Sequence, residues 1–398
     1  MNSQYHIRIK PEIQLMRTQF LDQLRTILML LVILHHSMVT YAKNTCCWFI
    51  QQNSIGPPIS DLLGLVVSFN QSFFMGMFFL ISGYFVPISV EKKGSLKFMK
   101  DRMRRLGIPL LVTWFILSPL IIAISESSRG ERIGDTFAKF FSLDGFYLIS
   151  GPMWFVITLM VFNVAYLIWK KCSNYHFIRN SQRQLPGTSH LAAVAIGAAI
   201  SSLIVAYFAP LGVPISGSKF LLRIGLDYWI GNLSFLPAYI ILFAIGCVSA
   251  EGCWLERVPA DKAKTWGLIG LVAATIWVVC YASRMVDKTG DSSTFLELYG
   301  KTIYLIISPF VAWGVISWLL WWFRTHVIPF GKQIADSGND SYGAYILHPI
   351  ILVSLTYLFT LTKLPAVISL TLLIIAGSIL SFMLAHFLRA LPISRGIL

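Results

Sequence analysis

The feature that most constrains this chain is a succession of apolar blocks of about 20 residues, separated by short stretches rich in charge, proline and glycine. Wound as a helix at about 1.5 Å per residue, such a block crosses the roughly 30 Å hydrocarbon core of a bilayer. The blocks lie near residues 20–42, 64–90, 108–126, 152–170, 190–209, 228–250, 265–284, 300–323, 341–360 and 365–387. Backbone polar groups find no water in hydrocarbon, so each block is expected to be helical. The expectation is an all-α polytopic membrane protein, a bundle of about ten transmembrane helices forming one domain over residues 1–398, with no appended soluble domain. Composition agrees: 13% charged residues and a mean hydropathy of +0.68 exclude an ordinary soluble domain, in which about 25% of residues are charged.

The net charge of +14 raises nucleic acid as a partner, but its distribution argues for lipid instead. Alternate loops hold 22 of the 32 lysines and arginines on the side of the two termini. By the positive-inside rule both termini are expected in the cytoplasm of a bacterial inner membrane, with no nucleic acid bound. The first span follows a polar, basic segment and has no small-residue cleavage site after it, so it is expected to be retained. The six cysteines show no paired CxxC spacing, and neither a disulfide framework nor a metal site is expected; Cys46 and Cys47 sit together on the outer side.

Ionisable groups inside apolar spans cost at least ~2.5–3.5 kcal/mol on insertion scales, so each asks for a reason. The first span contains Asp22, Arg25, His35 and His36. Arg25 and His36 are 11 positions apart, which brings them to within about 20° of one helix face and separates them by about 16 Å along it. A stripe therefore joins a basic end to a histidine deep in the outer half. His35 lies about 100° round the helix, and Asp22 is placed to pair with Arg25. Histidine exchanges a proton near neutral pH, so His36 is the candidate base.

After the second span come seven basic residues within 14 positions, including Lys97, Lys100, Arg102 and Arg105. Arg102 and Arg105, three apart, suit a fork around phosphates, although attraction to anionic lipid produces similar clusters. No GxxxxGK[ST] loop is present. The ninth span opens SYGAYILHP and puts Tyr345 and His348 one turn apart, with Pro349 freeing backbone groups beside them. Trp154, in GPMWFV, fits an aromatic belt at the outer interface.

FLDQLR followed by His36, FFLISGYF at 78–85, RMRRLGIP at 102–109, GPMWFV at 151–156 and SYGAYILH at 341–348 together resemble the membrane-bound acyltransferase 3 family. They run in the family's order over most of the chain, and the wording is closest to the branch that modifies periplasmic glucans. The resemblance implies an O-acyltransferase that takes an acyl group from cytoplasmic acyl-coenzyme A and passes it to a carbohydrate hydroxyl on the far side. It implies Arg25 and His36 as the essential pair and Arg102 with Arg105 as the paired-arginine motif, and His348 of the ninth span is a further catalytic candidate. Lys97 and Lys100 would assist in holding acyl-CoA, and Ser82, Tyr84 and His348 are candidates to stabilise the oxyanion. His35 is a departure that leaves two candidate bases. Acetyl-CoA is the donor that demands least; succinyl transfer would need a further basic residue, such as Arg223 or Arg284. A proton-coupled transporter using the same stripe is the alternative from another class, and a non-catalytic scaffold leaves the basic loop unexplained.

Overall fold

The computed structural model describes residues 11–42, 48–52, 55–142, 150–180, 182–209, 233–286, 293–326, 328–362, 364–394 and 396–397. Cys46, Cys47 and Arg223 fall outside them, as does the side chain of Arg284. Among the described residues there are twelve helices and no strand, and ten of the helices are long and apolar enough to cross a membrane. The spanning helices are α1 (Pro11–Tyr41), α2 (Ile59–Lys93), α3 (Ser95–Ser127), α5 (Trp154–Cys172), α6 (Thr188–Phe208), α7 (Leu236–Gly252), α8 (Ala260–Val286), α9 (Ser293–Thr325), α11 (Ser341–Thr362) and α12 (Ala366–Ala390). Two short helices complete the set, α4 (Ile133–Phe140) and α10 (Gly331–Ser337).

Burial divides the bundle into centre and rim. The apolar windows of α1 and α2 are 67% and 72% buried, whereas those of α6, α8 and α12 are 22%, 17% and 28% buried. The rim helices turn leucine, isoleucine and phenylalanine outward, as at Ile375, Ile379, Met383 and Phe387 of α12. The helix carrying most of the intramembrane charge is thus among the most enclosed, the arrangement expected where ionisable groups serve a purpose.

With lipid outside, helices gain little from burying leucine and pack instead through small residues. Gly83 of α2 faces the Phe243 carbonyl of α7, and Gly246 of α7 faces the Leu80 carbonyl in return. Gly270 of α8 and Gly314 of α9 form a second crossing, where a Cβ on Gly270 would stand 2.8 Å from the Gly314 Cα. A side chain at Gly83 must push two backbones apart, so Gly83→Val is expected to destabilise the protein by about 1–3 kcal/mol or more. Thermal unfolding in detergent checks this: a transition at the wild-type temperature would show that the crossing is not tight.

α3 is not a uniform helix. Wider i→i+5 turns occupy Met103–Gly107 and Thr113–Leu117. Pro109 and Pro119 lack the amides that the carbonyls of Arg105 and Phe115 would meet four residues on, and the wider turn offers those carbonyls the next amide along. The first wide turn lies within the arginine motif.

Candidate active site

α1 organises the site. Near its middle, the Gln23 amide donates to the Gly331 carbonyl (2.9 Å) and the Thr26 hydroxyl to the Ile334 carbonyl (2.7 Å), fastening α1 to α10. One helix therefore carries a basic pole at Arg25 and a histidine pole at His36, about 16 Å apart by the rise of the helix.

The histidine pole is built around Pro349. Proline has no amide to offer the carbonyl four residues earlier, which belongs to Tyr345. His348, fully buried on α11, fills that vacancy: its Nδ1 lies 2.7 Å from the Tyr345 carbonyl oxygen. A carbonyl only accepts, so the Nδ1 of a neutral His348 carries the proton and its Nε2 keeps a lone pair. That Nε2 lies 3.2 Å from Nδ1 of His36, which is also 3.0 Å from the Val32 carbonyl. Both neighbours of His36 Nδ1 are acceptors, so His36 is protonated there and its Nε2 is left as the basic nitrogen. Trp48 stacks on the His36 ring, with centroids 4.5 Å apart and planes 22° apart.

His36 and His35 line a cleft of about 390 Å³, counting the space at its open side, together with Gln71, Pro152, Trp154 and Tyr345. The Tyr345 hydroxyl donates to the Pro152 carbonyl and so ties α11 to the turn that begins α5. Trp154 stacks against Tyr239 at 5.7 Å, and the Gln71 amide donates to the Tyr239 hydroxyl (3.2 Å), completing the opposite wall. His35 stacks on Phe74 at 4.9 Å, and its buried Nδ1 has no hydrogen-bond partner. No second residue sets its tautomer, and this separates it from His36.

At the basic pole Arg25 pairs with Asp22 at 2.7 Å and lies over the Phe85 ring at 4.6 Å. Arg102, half-buried over Phe98, is close enough to both Arg105 and Arg25 for their positive charges to act on it. The hydroxyl of Tyr342 feels the charges of Arg102 and Arg105 and is buried without a hydrogen-bond partner. Lys97 and Lys100 are exposed on the first turns of α3, and Lys93 is taken up by Asp101 at 2.6 Å. No ion pair engages Arg102, Arg105, Lys97 or Lys100 among the described residues. Asp22 pairs with Arg25, and Asp101, whose charge also reaches Arg102, is taken up by Lys93, so the three guanidiniums keep a net positive charge and make a nest for an anion.

Four expectations need correction. Tyr84 is not beside His36: its hydroxyl donates to Glu256 Oε1 (2.7 Å), with Arg179 3.4 Å from the same oxygen, at the basic end of the bundle. Ser82 lies seven residues along α2 from the cleft-lining Met75, about 10 Å towards that end, and does not line the cleft. His348 has both ring nitrogens engaged, so it orients His36 and is not free to hold an oxyanion. Trp154, expected at the lipid interface, lines the cleft instead. Trp48, Gln71, Pro152 and Tyr342 belong to the two poles and were not singled out from sequence; only the tyrosine spacing in SYGAY could have signalled any of them.

Comparison with known proteins bears on what this arrangement does. Glucans biosynthesis protein C of Escherichia coli strain SMS-3-5 / SECEC is 34% identical over 166 residues, as is that of strain 55989 / EAEC. Each match covers 40% of this chain and 40% of the relative, so the chain spans well under half the length of the curated relatives it matches. No solved structure matches. The Acyltransferase domain family matches residues 18–386, which takes in both poles and eight of the spanning helices whole, with most of α1 and α12. By that match the chain belongs to the acyltransferase 3 family.

Proposed function

We propose that the protein transfers an acyl group from acyl-coenzyme A, held at the basic pole, to a hydroxyl of a carbohydrate that reaches the histidine cleft. The observation that carries this reading is the pairing of His348 with His36 at one end of α1, with Arg25 among Arg102 and Arg105 at the other. The phosphates of coenzyme A suit the arginine nest, and Lys97 and Lys100 extend it at the surface. The pantetheine arm would follow the α1 stripe and bring the thioester to His36.

There His36 Nε2 takes the proton of the acceptor hydroxyl as its oxygen bonds to the thioester carbonyl carbon. The tetrahedral intermediate collapses with cleavage of the carbon–sulfur bond, and the leaving thiolate takes the proton back from His36. The products are the carbohydrate ester and free coenzyme A. While His36 carries the extra proton, its Nδ1–H bonds to the Val32 carbonyl and His348 Nε2 become charge-assisted and stronger. Acetyl is the proposed acyl group, with succinyl the alternative. A carbohydrate acceptor is supported by the name of the glucan-biosynthesis relatives. The charge asymmetry of the loops supports a bacterial inner membrane with the basic pole in the cytoplasm.

Proteoliposomes supplied with radiolabelled acetyl-CoA or succinyl-CoA and an oligoglucan test the reading. Label in the glucan is expected, and the donor that supplies it names the acyl group; consumption of acyl-CoA with no label in any glucan would refute a carbohydrate acceptor. Removing the residue that orients His36 should cost rate but not donor affinity. His348→Ala is expected to lower kcat by about 10- to 150-fold, the worth of one hydrogen bond to a charged group, with KM for the donor unchanged. Steady-state kinetics check this, and a wild-type kcat would remove His348 from the mechanism.

A further inference from the structure

A second cleft lies away from the histidine pole, at the basic end of the bundle, where α2, α6, α7, α8 and α9 meet. It encloses about 560 Å³, counting the space at its open side. The wall is apolar and is formed chiefly by Leu80, Ile245, Trp266, Trp313, Ile316 and Leu320. Trp313 to Leu320 covers about 10 Å along α9, so the cleft runs into the membrane and not along its surface.

Lys262 stands at the edge of this cleft. Its Nζ donates to the carbonyls of Pro186 (2.6 Å) and Leu185 (3.4 Å), and it forms no ion pair among the described residues. Of the arginines nearby, Arg179 pairs with Glu256, Arg183 pairs with Glu251, and Arg324 donates to the carbonyls of Glu256 and Val258. Lys262 is therefore a charge without a counter-ion at the mouth of an apolar slot. One turn along α8, about 6 Å deeper, Trp266 is 1% exposed and its indole Nε1 has no hydrogen-bond partner. A buried donor left unpaired is unfavourable unless something supplies an acceptor.

The geometry points to a binding site for an anionic phospholipid, with one acyl chain in the cleft and the phosphate on Lys262. An ester carbonyl below the phosphate supplies the acceptor that Trp266 lacks. A soluble anion would satisfy Lys262 but leave the apolar wall empty; a neutral lipid would fill the wall but leave the ammonium without a counter-ion. The site is separate from both poles of the acyl-transfer machinery.

Phosphatidylglycerol brominated on its acyl chains, mixed into phosphatidylcholine vesicles carrying the full chain, tests the proposal through tryptophan quenching. Subtracting the quenching of Trp266→Phe isolates the Trp266 contribution. That contribution is expected to saturate at a low mole fraction of brominated phosphatidylglycerol and not to do so with brominated phosphatidylcholine. Lys262→Ala should raise the half-saturating fraction about fivefold, the effect of one lysine at a membrane surface, and Lys262→Arg should restore it. Ser317→Phe, which fills the cleft, should abolish the saturable component; if that variant fails to fold, the Lys262 pair carries the test. Equal quenching by both lipids, or no response to Lys262→Ala, would overturn the site, as would a Trp266 that no brominated chain reaches.

Discussion

His36→Ala is expected to lower acyl transfer by about 10²–10⁴-fold while the protein remains inserted and folded. The substitution takes away an imidazole whose tautomer is set by a chain of partners, from the Tyr345 carbonyl through His348 to His36. It should act on kcat, because the arginine nest proposed to hold the donor is about 16 Å away. His35→Ala sets the comparison: with no residue setting its tautomer, His35 lines the cleft without serving as the base, and its loss should leave kcat within a few-fold of wild type. Parallel kcat measurements on the two variants check this, and a larger loss at His35 would exchange the roles of the adjacent histidines.

The second large effect is expected at the other pole. Arg102→Ala combined with Arg105→Ala removes two of the three guanidiniums and leaves Arg25 engaged by Asp22. Each charge-assisted contact to a phosphate is worth about 1.5–3 kcal/mol, so KM for acyl-CoA should rise by at least about 100-fold, with kcat at saturating donor little changed. A donor titration checks it. A loss confined to kcat would mean that these arginines do not hold the donor in its ground state.

Much of this architecture is legible in the sequence because a bilayer permits few solutions. The ten apolar blocks match the ten spanning helices, with differences at the ends such as α2, which runs over Ile59–Lys93 where the apolar block suggests 64–90. The Arg25–His36 stripe follows from helical geometry alone, and the Asp22–Arg25 pair from a spacing of three. Pro349 marked a place where backbone groups are freed, and the structure shows His348 using one of them.

What was not legible depends on contacts between distant parts of the chain. His36 meets His348 across 312 positions, and Tyr84 meets Glu256 across 172, so no spacing rule brings the first pair together or removes Tyr84 from the histidine pole. Ser82 and Tyr84 share α2 with cleft-lining Gln71 and Met75, and only the depth of each residue along that helix separates them. Trp154 looks like an interfacial aromatic in the sequence, since tryptophan is common at membrane boundaries; the fold turns it into the cleft and lays Trp48, which no motif marked, on His36. The wide turn at Met103–Gly107 likewise replaces the regular helix from which the Arg102–Arg105 fork was argued.

Release of coenzyme A from acetyl-CoA and succinyl-CoA by the purified protein, with an oligoglucan present, tests the central claim most directly when wild type is run beside His36→Ala and Arg102→Ala. The account predicts release by the wild type from one of the two donors. It predicts loss in His36→Ala at every donor concentration, and recovery in Arg102→Ala as the donor is raised. Release by a folded His36→Ala protein at the wild-type rate would contradict it.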